Sequence, residues 1–238
     1  MSRKTIDTSL DQSIKLDVPG GEYFITTYRE TDANAMFEAF QIDSVLDELI
    51  SAPKPYTRAD AEFWLTTQLA ATHTLLPLQT VQERNTAFFD EKSDQPLRQV
   101  PLMVIRHGEK MIGCCSISPA SCSPQVGEVG YWLHPDYHHK RIMQAATRAV
   151  LRYSANEFGV RKVIGRAEGE NIASQKIIAR LAEETGGGAS GVEPKRGREK
   201  WPENKKGGGE RDLLTWEWSV CPDEEFEGEL ERELESGK

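Results

Sequence analysis

The stretch Glu128-Val129-Gly130-Tyr131-Trp132-Leu133-His134-Pro135-Asp136-Tyr137-His138-His139-Lys140-Arg141-Ile142-Met143-Gln144-Ala145-Ala146 decides how this chain is read. Val129, Tyr131 and Leu133 alternate as on one face of a buried strand. Pro135 ends the strand, and Ile142, Ala146, Ala149 or Val150, and Tyr153 recur at helical spacing. The pattern is strand, sharp turn with a basic loop, helix. A strand entering a helix through a tight loop aims free backbone N–H groups and the positive end of the helix dipole at one point. That geometry suits a phosphate. The other reading of His138, His139, Lys140 and Arg141 is an exposed basic turn.

Working outward, residues 162–168 read as a second strand and residues 172–184 as a helix. Upstream, residues 100–105 and 111–117 flank His107-Gly108-Glu109-Lys110 as an antiparallel hairpin. Residues 22–28 have β-branched and aromatic character and form a first strand. Thr31-Asp32 precede a capped amphipathic helix in which Met36, Phe37 and Phe40 share a face. Thr57 is the expected N-cap of a second helix. Residues 71–99 suggest an irregular insertion. Residues 186–209 hold eight of the 19 glycines, and predict a long loop without packed structure. Residues 212–220 return to strand character. The order of elements predicts a mixed α/β sheet in one domain, preceded by an extension over residues 1–21.

The 238 residues carry a net charge of −9, of which −6 falls in the acidic tail at 222–238. The domain is therefore nearly neutral, and no basic field argues for nucleic acid. Residues 195–211 are locally basic, with seven Lys or Arg against three Glu; a solvated loop is the default, closure over a substrate the alternative. No apolar run reaches the length of a membrane helix, and residues 1–17 lack the apolar core of a signal peptide. Cys114, Cys115, Cys122 and Cys221 fit neither a disulfide framework nor paired zinc spacing, so the expectation is no metal and a cytoplasmic or nuclear compartment. Cys114 and Cys115 are expected to pack within a strand. The oligomeric state is left open.

Several motifs together resemble the GCN5-related N-acetyltransferase (GNAT) family, in particular the branch that acetylates ribosomal-protein amino termini. These are residues 27–33, Pro55-Tyr56-Thr57 with Asp60-Ala61-Glu62 and Trp64, residues 128–136, Asn171-Ile172-Ala173-Ser174 and Asp212-Leu213-Leu214. The resemblance implies a GNAT-like single-domain α/β fold at 22–220, with a mixed central sheet, a splayed fourth strand and flanking helices. It implies acetyl-CoA as co-substrate and an amine acceptor, either a peptide amino terminus or a small molecule. Attack would be direct, without an acyl-enzyme. The family loop usually has glycines where this chain has His139 and Arg141; Arg141 either keeps a helical conformation and donates its N–H, or crowds the pyrophosphate and leaves a weak or inactive site. Leu133, His138, His139, Lys140, Arg141, Ile142, Met143 and Asn171 are the implied coenzyme contacts.

The implied catalytic residues are Glu128 and Ser174. Glu128 would draw a proton from an ammonium acceptor through water, and the alternative is a solvent-facing strand-end carboxylate. Ser174 would protonate the departing CoA thiolate; a capping-turn role is the alternative. Asn171, directly before a helix, is also an ordinary N-cap. Tyr131 and Trp132 are packing residues or substrate contacts, with one of them facing the groove. His134, beside Pro135, is expected to order the turn. Two further readings stay open: a non-catalytic acyl-CoA-binding or partner-binding module, favoured by the missing glycines and the acidic tail, and a different acyl donor.

Overall fold

The computed structural model describes residues 12–90, 99–120, 125–185 and 193–220. Among the described residues eight strands form one sheet: β1 (Ser13–Lys15), β2 (Tyr23–Thr26), β3 (Val104–His107), β4 (Lys110–Pro119), β5 (Val126–Leu133), β6 (Lys162–Glu168), β7 (Lys195–Trp201) and β8 (Gly209–Ser219). Their order is β1-β2-β3-β4-β5-β6-β8-β7. Every neighbouring pair is antiparallel except β5 and β6. The helices are α1 (Asp32–Ala39), α2 (Asp43–Leu46), α3 (Arg58–Leu75), α4 (Val81–Phe88), α5 (Ile142–Phe158) and α6 (Ile172–Thr185).

The parallel pair requires a crossover, and α5 supplies it. Ile142, Met143, Ala146, Val150, Leu151, Ala155 and Phe158 form its buried stripe at helical spacing. The two hydroxyls inside that stripe are satisfied locally, Thr147 by the Met143 carbonyl and Ser154 by the Val150 carbonyl. Gly159 ends the helix with φ 65° and ψ 28°, the left-handed conformation glycine adopts at little cost. Helix α6 lies directly over β6. A Cβ added to Gly165 would meet Ile178 Cγ2 at 2.6 Å, so only glycine admits this approach.

The α5 face of the sheet buries Cys115, Ile117, Val129 and Leu133 with Trp216 and Trp218. The opposite face carries Cys114, which clusters with Tyr28, Met103 and Leu65 of α3. Both cysteines are thus strand packing residues, as expected; Cys122 and Cys221 lie outside the described residues. Among the described residues no helix is long and apolar enough to cross a membrane.

Helix α1 is anchored by a buried ion pair. Arg106 on β3 donates through Nη1 and Nη2 to both carboxylate oxygens of Asp32, at 2.9 and 2.7 Å. Its remaining hydrogens reach Thr26 Oγ1 and the carbonyls of Thr27 and Glu109. Asp32 Oδ2 also accepts the Arg29 N–H at 2.8 Å. Of the expected capping pair Thr31-Asp32, Thr31 has helical backbone angles and makes no side-chain cap bond. The buried carboxylate one residue later sets the helix start instead.

Other expectations need correction. The extension before residue 22 contributes β1, and Leu16 and Val18 enter the core. The supposed irregular insertion holds the end of α3 and all of α4, which opens with a Thr80–Glu83 capping box; residues 91–98 lie outside the description. Thr57 does cap α3, exchanging hydrogen bonds with Asp60. The glycine-rich loop is largely a hairpin, because residues 195–201 pair with β8. Residues 186–192 and the acidic tail from 221 lie outside the description.

The Arg106–Asp32 pair generates a stability prediction. Arg106→Ala leaves a buried carboxylate without its counter-ion and should cost about 3–5 kcal/mol in urea unfolding, whereas Arg106→Met with Asp32→Leu should recover most of it. A single variant of nearly native stability would refute this anchoring.

Candidate active site

Strands β5 and β6 pair only from Val126↔Lys162 to Val129↔Gly165. Beyond that point residues 130–133 follow β4, and residues 166–168 follow β8. The strands therefore part, leaving a wedge in the sheet. Its chemistry follows from the hydrogen-bond phase. Ala120 N donates to Val126 O and His134 N to Ile112 O, so even-numbered residues of β5 bond to β4. Alternation then turns the N–H and C=O of Tyr131 and Leu133 toward β6 and into the wedge. The Leu133 carbonyl is met there by His138 Nε2 at 2.9 Å.

The loop below the wedge is built around His134. Its Nδ1 accepts the Asp136 N–H at 3.3 Å, so the histidine orders the turn, as expected. A single 3-10 turn follows at Pro135–Tyr137. Lys140 Nζ bonds the Asp136 carbonyl at 2.9 Å and lies 5.1 Å from the Tyr137 ring centroid. His139 and Arg141 both take φ 61°. The helical alternative for Arg141 is overturned, since φ 61° with ψ 9° is left-handed. The chain keeps the backbone shape that glycine would adopt, despite a Cβ at both positions. No side chain caps α5. Its first bond to the residue four back runs from Ala145 to Arg141, so the N–H groups of Ile142, Met143 and Gln144 precede the ladder and face the loop.

Asn171 is an N-cap, its Oδ1 accepting the Ser174 N–H at 2.9 Å. Its Nδ2 donates to Glu48 Oε2 at 2.8 Å. Ser174 Oγ lies 2.8 Å from Tyr131 Oη. Tyr131 and Trp132 occupy opposite faces of β5, so their side chains do not line one acceptor surface together. Tyr131 packs with the α5 core, whereas Trp132 packs on Phe40 at 5.1 Å between centroids. Tyr131 therefore joins Ser174 and leaves Trp132 alone on the face that Glu128 shares.

Glu128 is half-buried, with Arg166 Nη1 3.4 Å away. Burial pushes its carboxyl above the ordinary value, and Arg166 opposes the shift. Glu170, another carboxylate near the site, is exposed and paired with Arg211 at 3.3 Å.

The sequence reading missed the shell around Asn171. Lys206 bridges Glu48 and the buried Glu168, which also receives Arg211 at 3.1 Å. Trp201 Nε1 bonds the Asp47 carbonyl at 3.2 Å, and the Lys205 ammonium bonds the carbonyls of Leu49 and Ala52. The turn between β7 and β8 thereby clasps residues 47–52 beside the wedge. The basic character of residues 195–211 was the available signal, but its carbonyl and carboxylate partners are distant in sequence. Among the described residues no cluster of His, Cys, Asp or Glu could hold a metal ion.

The left-handed loop residues can be tested by stability. Arg141→Val places a β-branched side chain at φ 61° and should cost about 2 kcal/mol, while Arg141→Gly should cost nothing or stabilise. Equal chemical-denaturation midpoints for the two variants would contradict the left-handed conformation.

Comparison with known proteins accords with this architecture. Curated proteins give no sequence match. Among solved structures, a ribosomal-protein alanine acetyltransferase from Vibrio fischeri aligns at 16% identity and TM-score 0.59, covering 90% of this chain and 98% of its own. RimJ of Mycobacterium smegmatis, in complex with CoA-disulfide, aligns at 17% identity and TM-score 0.55, covering 88% of each chain. The α-N-protein acetyltransferase RimL, in complex with coenzyme A, aligns at 14% identity and TM-score 0.59, covering 88% of this chain and all of its own. These likenesses show a shared fold. The family model of the acetyltransferase (GNAT) domain matches residues 23–182, and the chain belongs to that family.

Proposed function

We propose that this protein transfers an acetyl group from acetyl-CoA to a primary amine by direct attack. The observation that carries the reading is the wedge between β5 and β6, with unladdered backbone groups of Tyr131 and Leu133, opening beside the uncapped start of α5. An amide-bearing arm ending in a pyrophosphate fits both features. RimL and RimJ, which share the fold, are named as complexes with coenzyme A and CoA-disulfide.

Acetyl-CoA would supply an activated thioester. The N–H groups of residues 139–144 would hold its pyrophosphate, with Lys140 and Arg141 adding charge. The Tyr131 and Leu133 N–H groups are the candidates to polarise the thioester carbonyl, as an oxyanion hole does. Glu128 would take the proton from the acceptor ammonium through water, and Ser174 would donate to the departing thiolate. Proximity within the ternary complex would contribute much of the rate. A peptide amino terminus and a small amine are both suitable acceptors.

A second reading, a non-catalytic acyl-CoA-binding or partner-binding module, draws on two observations. Side chains stand at the two left-handed loop positions, and the Asn171 amide is already held by Glu48.

Binding separates the readings first. Acetyl-CoA should raise the melting temperature by mass action, about 2.7 kcal/mol of stabilisation at a hundredfold excess over Kd. Replacing Lys140 and Arg141 by Ala should weaken the shift; no shift at millimolar acetyl-CoA would remove the coenzyme from the account. An acetylation screen over peptides and amines, read by acetyl-CoA consumption, would then identify the acceptor.

The Glu128 proposal predicts a pH dependence. Glu128 acts only when ionised, and Arg166 holds its carboxyl down against burial. Arg166→Gln should therefore move the acid limb of kcat/KM to higher pH. Glu128→Gln should lower turnover most near neutrality and recover partly at high pH, where free amine comes from solution. A wild-type profile in Glu128→Gln would remove this base.

A further inference from the structure

The wedge holds a hydroxyl pair that the proposed chemistry uses only in part. Tyr131 Oη lies 2.8 Å from Ser174 Oγ and 3.2 Å from the Ser174 carbonyl oxygen. We propose that Tyr131 is a positioning residue that sets the direction and strength of the Ser174 proton donor. The inference rests on the role of Ser174 proposed above.

Proton counting leads to it. Tyr131 carries one hydroxyl hydrogen and Ser174 carries one. When Tyr131 donates to the Ser174 carbonyl, the 2.8 Å contact requires Ser174 to donate to Tyr131, and the serine proton is occupied. When Tyr131 donates to Ser174 Oγ, the serine proton is released, and the bond that Oγ accepts strengthens it as a donor. A thiolate forming beside Ser174 favours the second arrangement, because a charged acceptor outcompetes a neutral one.

The surroundings leave the pair few other states. The Ser174 N–H is held by Asn171 Oδ1 at 2.9 Å, which fixes the first turn of α6. The Tyr131 ring packs against the core shared by α5 and α6. Burial drives the Tyr131 hydroxyl well above its ordinary value, with the Ser174 bond opposing the shift. Tyr131 therefore stays protonated through the neutral range. It donates a hydrogen bond and loses no proton.

The test uses the full chain with bound coenzyme A and needs no acceptor. The ultraviolet absorbance of the thiolate, followed against pH, reports the ionisation of the bound thiol. Ser174→Ala should lower the ionisation constant about tenfold, the loss of one hydrogen bond to a charged acceptor. Tyr131→Phe should lower it by about threefold, and the double variant should match Ser174→Ala alone, because Tyr131 acts only through Ser174. Incorporating 3-fluorotyrosine at position 131 keeps the shape and strengthens the donor, so the thiol should ionise more readily than in the wild type. A tyrosine that merely packs would change the melting temperature and leave the thiol unmoved, which would overturn the inference. Independent, multiplying effects of the two substitutions would overturn it as well. An unchanged thiol in Ser174→Ala would instead remove the serine donor, and the inference with it; failure to bind coenzyme A would remove the coenzyme reading.

Discussion

The site depends on two parallel strands ceasing to pair. From Val129 and Gly165 onward, β5 stays with β4 while β6 stays with β8, and each strand keeps one hydrogen-bonded neighbour. A sheet interior with unladdered N–H and C=O groups is costly unless something satisfies them. Here the opening lies beside the basic loop and the uncapped start of α5, and His138 satisfies one of its carbonyls. Every proposed contact of the coenzyme lies along this opening or at its end.

Holding the wedge open requires both sides to be fixed. On the β5 side, Trp132 is wedged against Phe40 beneath α1, and α1 is tied to β3 by Arg106 and Asp32. On the β6 side, Glu168 is buried between Lys206 and Arg211, and Lys206 reaches on to Glu48. Burying a carboxylate demands such partners, since an isolated charge in this position would be strongly destabilising. Asn171 joins the second support through Glu48, and Ser174 reaches β5 through Tyr131.

Much of this is legible in the sequence. The helix expected from Ile142 and the strand expected over residues 162–168 match α5 and β6, because apolar period and punctuation are local signals. The capping role of Asn171 and the turn role of His134 are equally local. Strand β7 was not legible: Lys-Arg-Gly-Arg-Glu-Lys has no apolar alternation, and its extended form comes from pairing with β8. Helix α4 was missed because Phe88 is its one buried residue. The left-handed Arg141 was hidden because the usual indicator of that conformation is glycine. The bond from Asn171 to Glu48 joins residues 123 positions apart, beyond any pattern of spacing.

The clasp made by the β7–β8 turn has a consequence for how the molecule is assembled. Lys205 reaches carbonyls 156 and 153 residues earlier in the chain, and Trp201 reaches one 154 residues earlier. Such contacts span much of the chain and cannot form until residues 201–205 have been synthesised. Residues 47–52 emerge early in synthesis, but they meet their partners only after the β7–β8 turn has been made. The framework of β2 to β5 with α1, α3 and α5 can condense first, and the wall beside the wedge is completed last. A nascent chain would thus hold a folded core well before it holds a finished site.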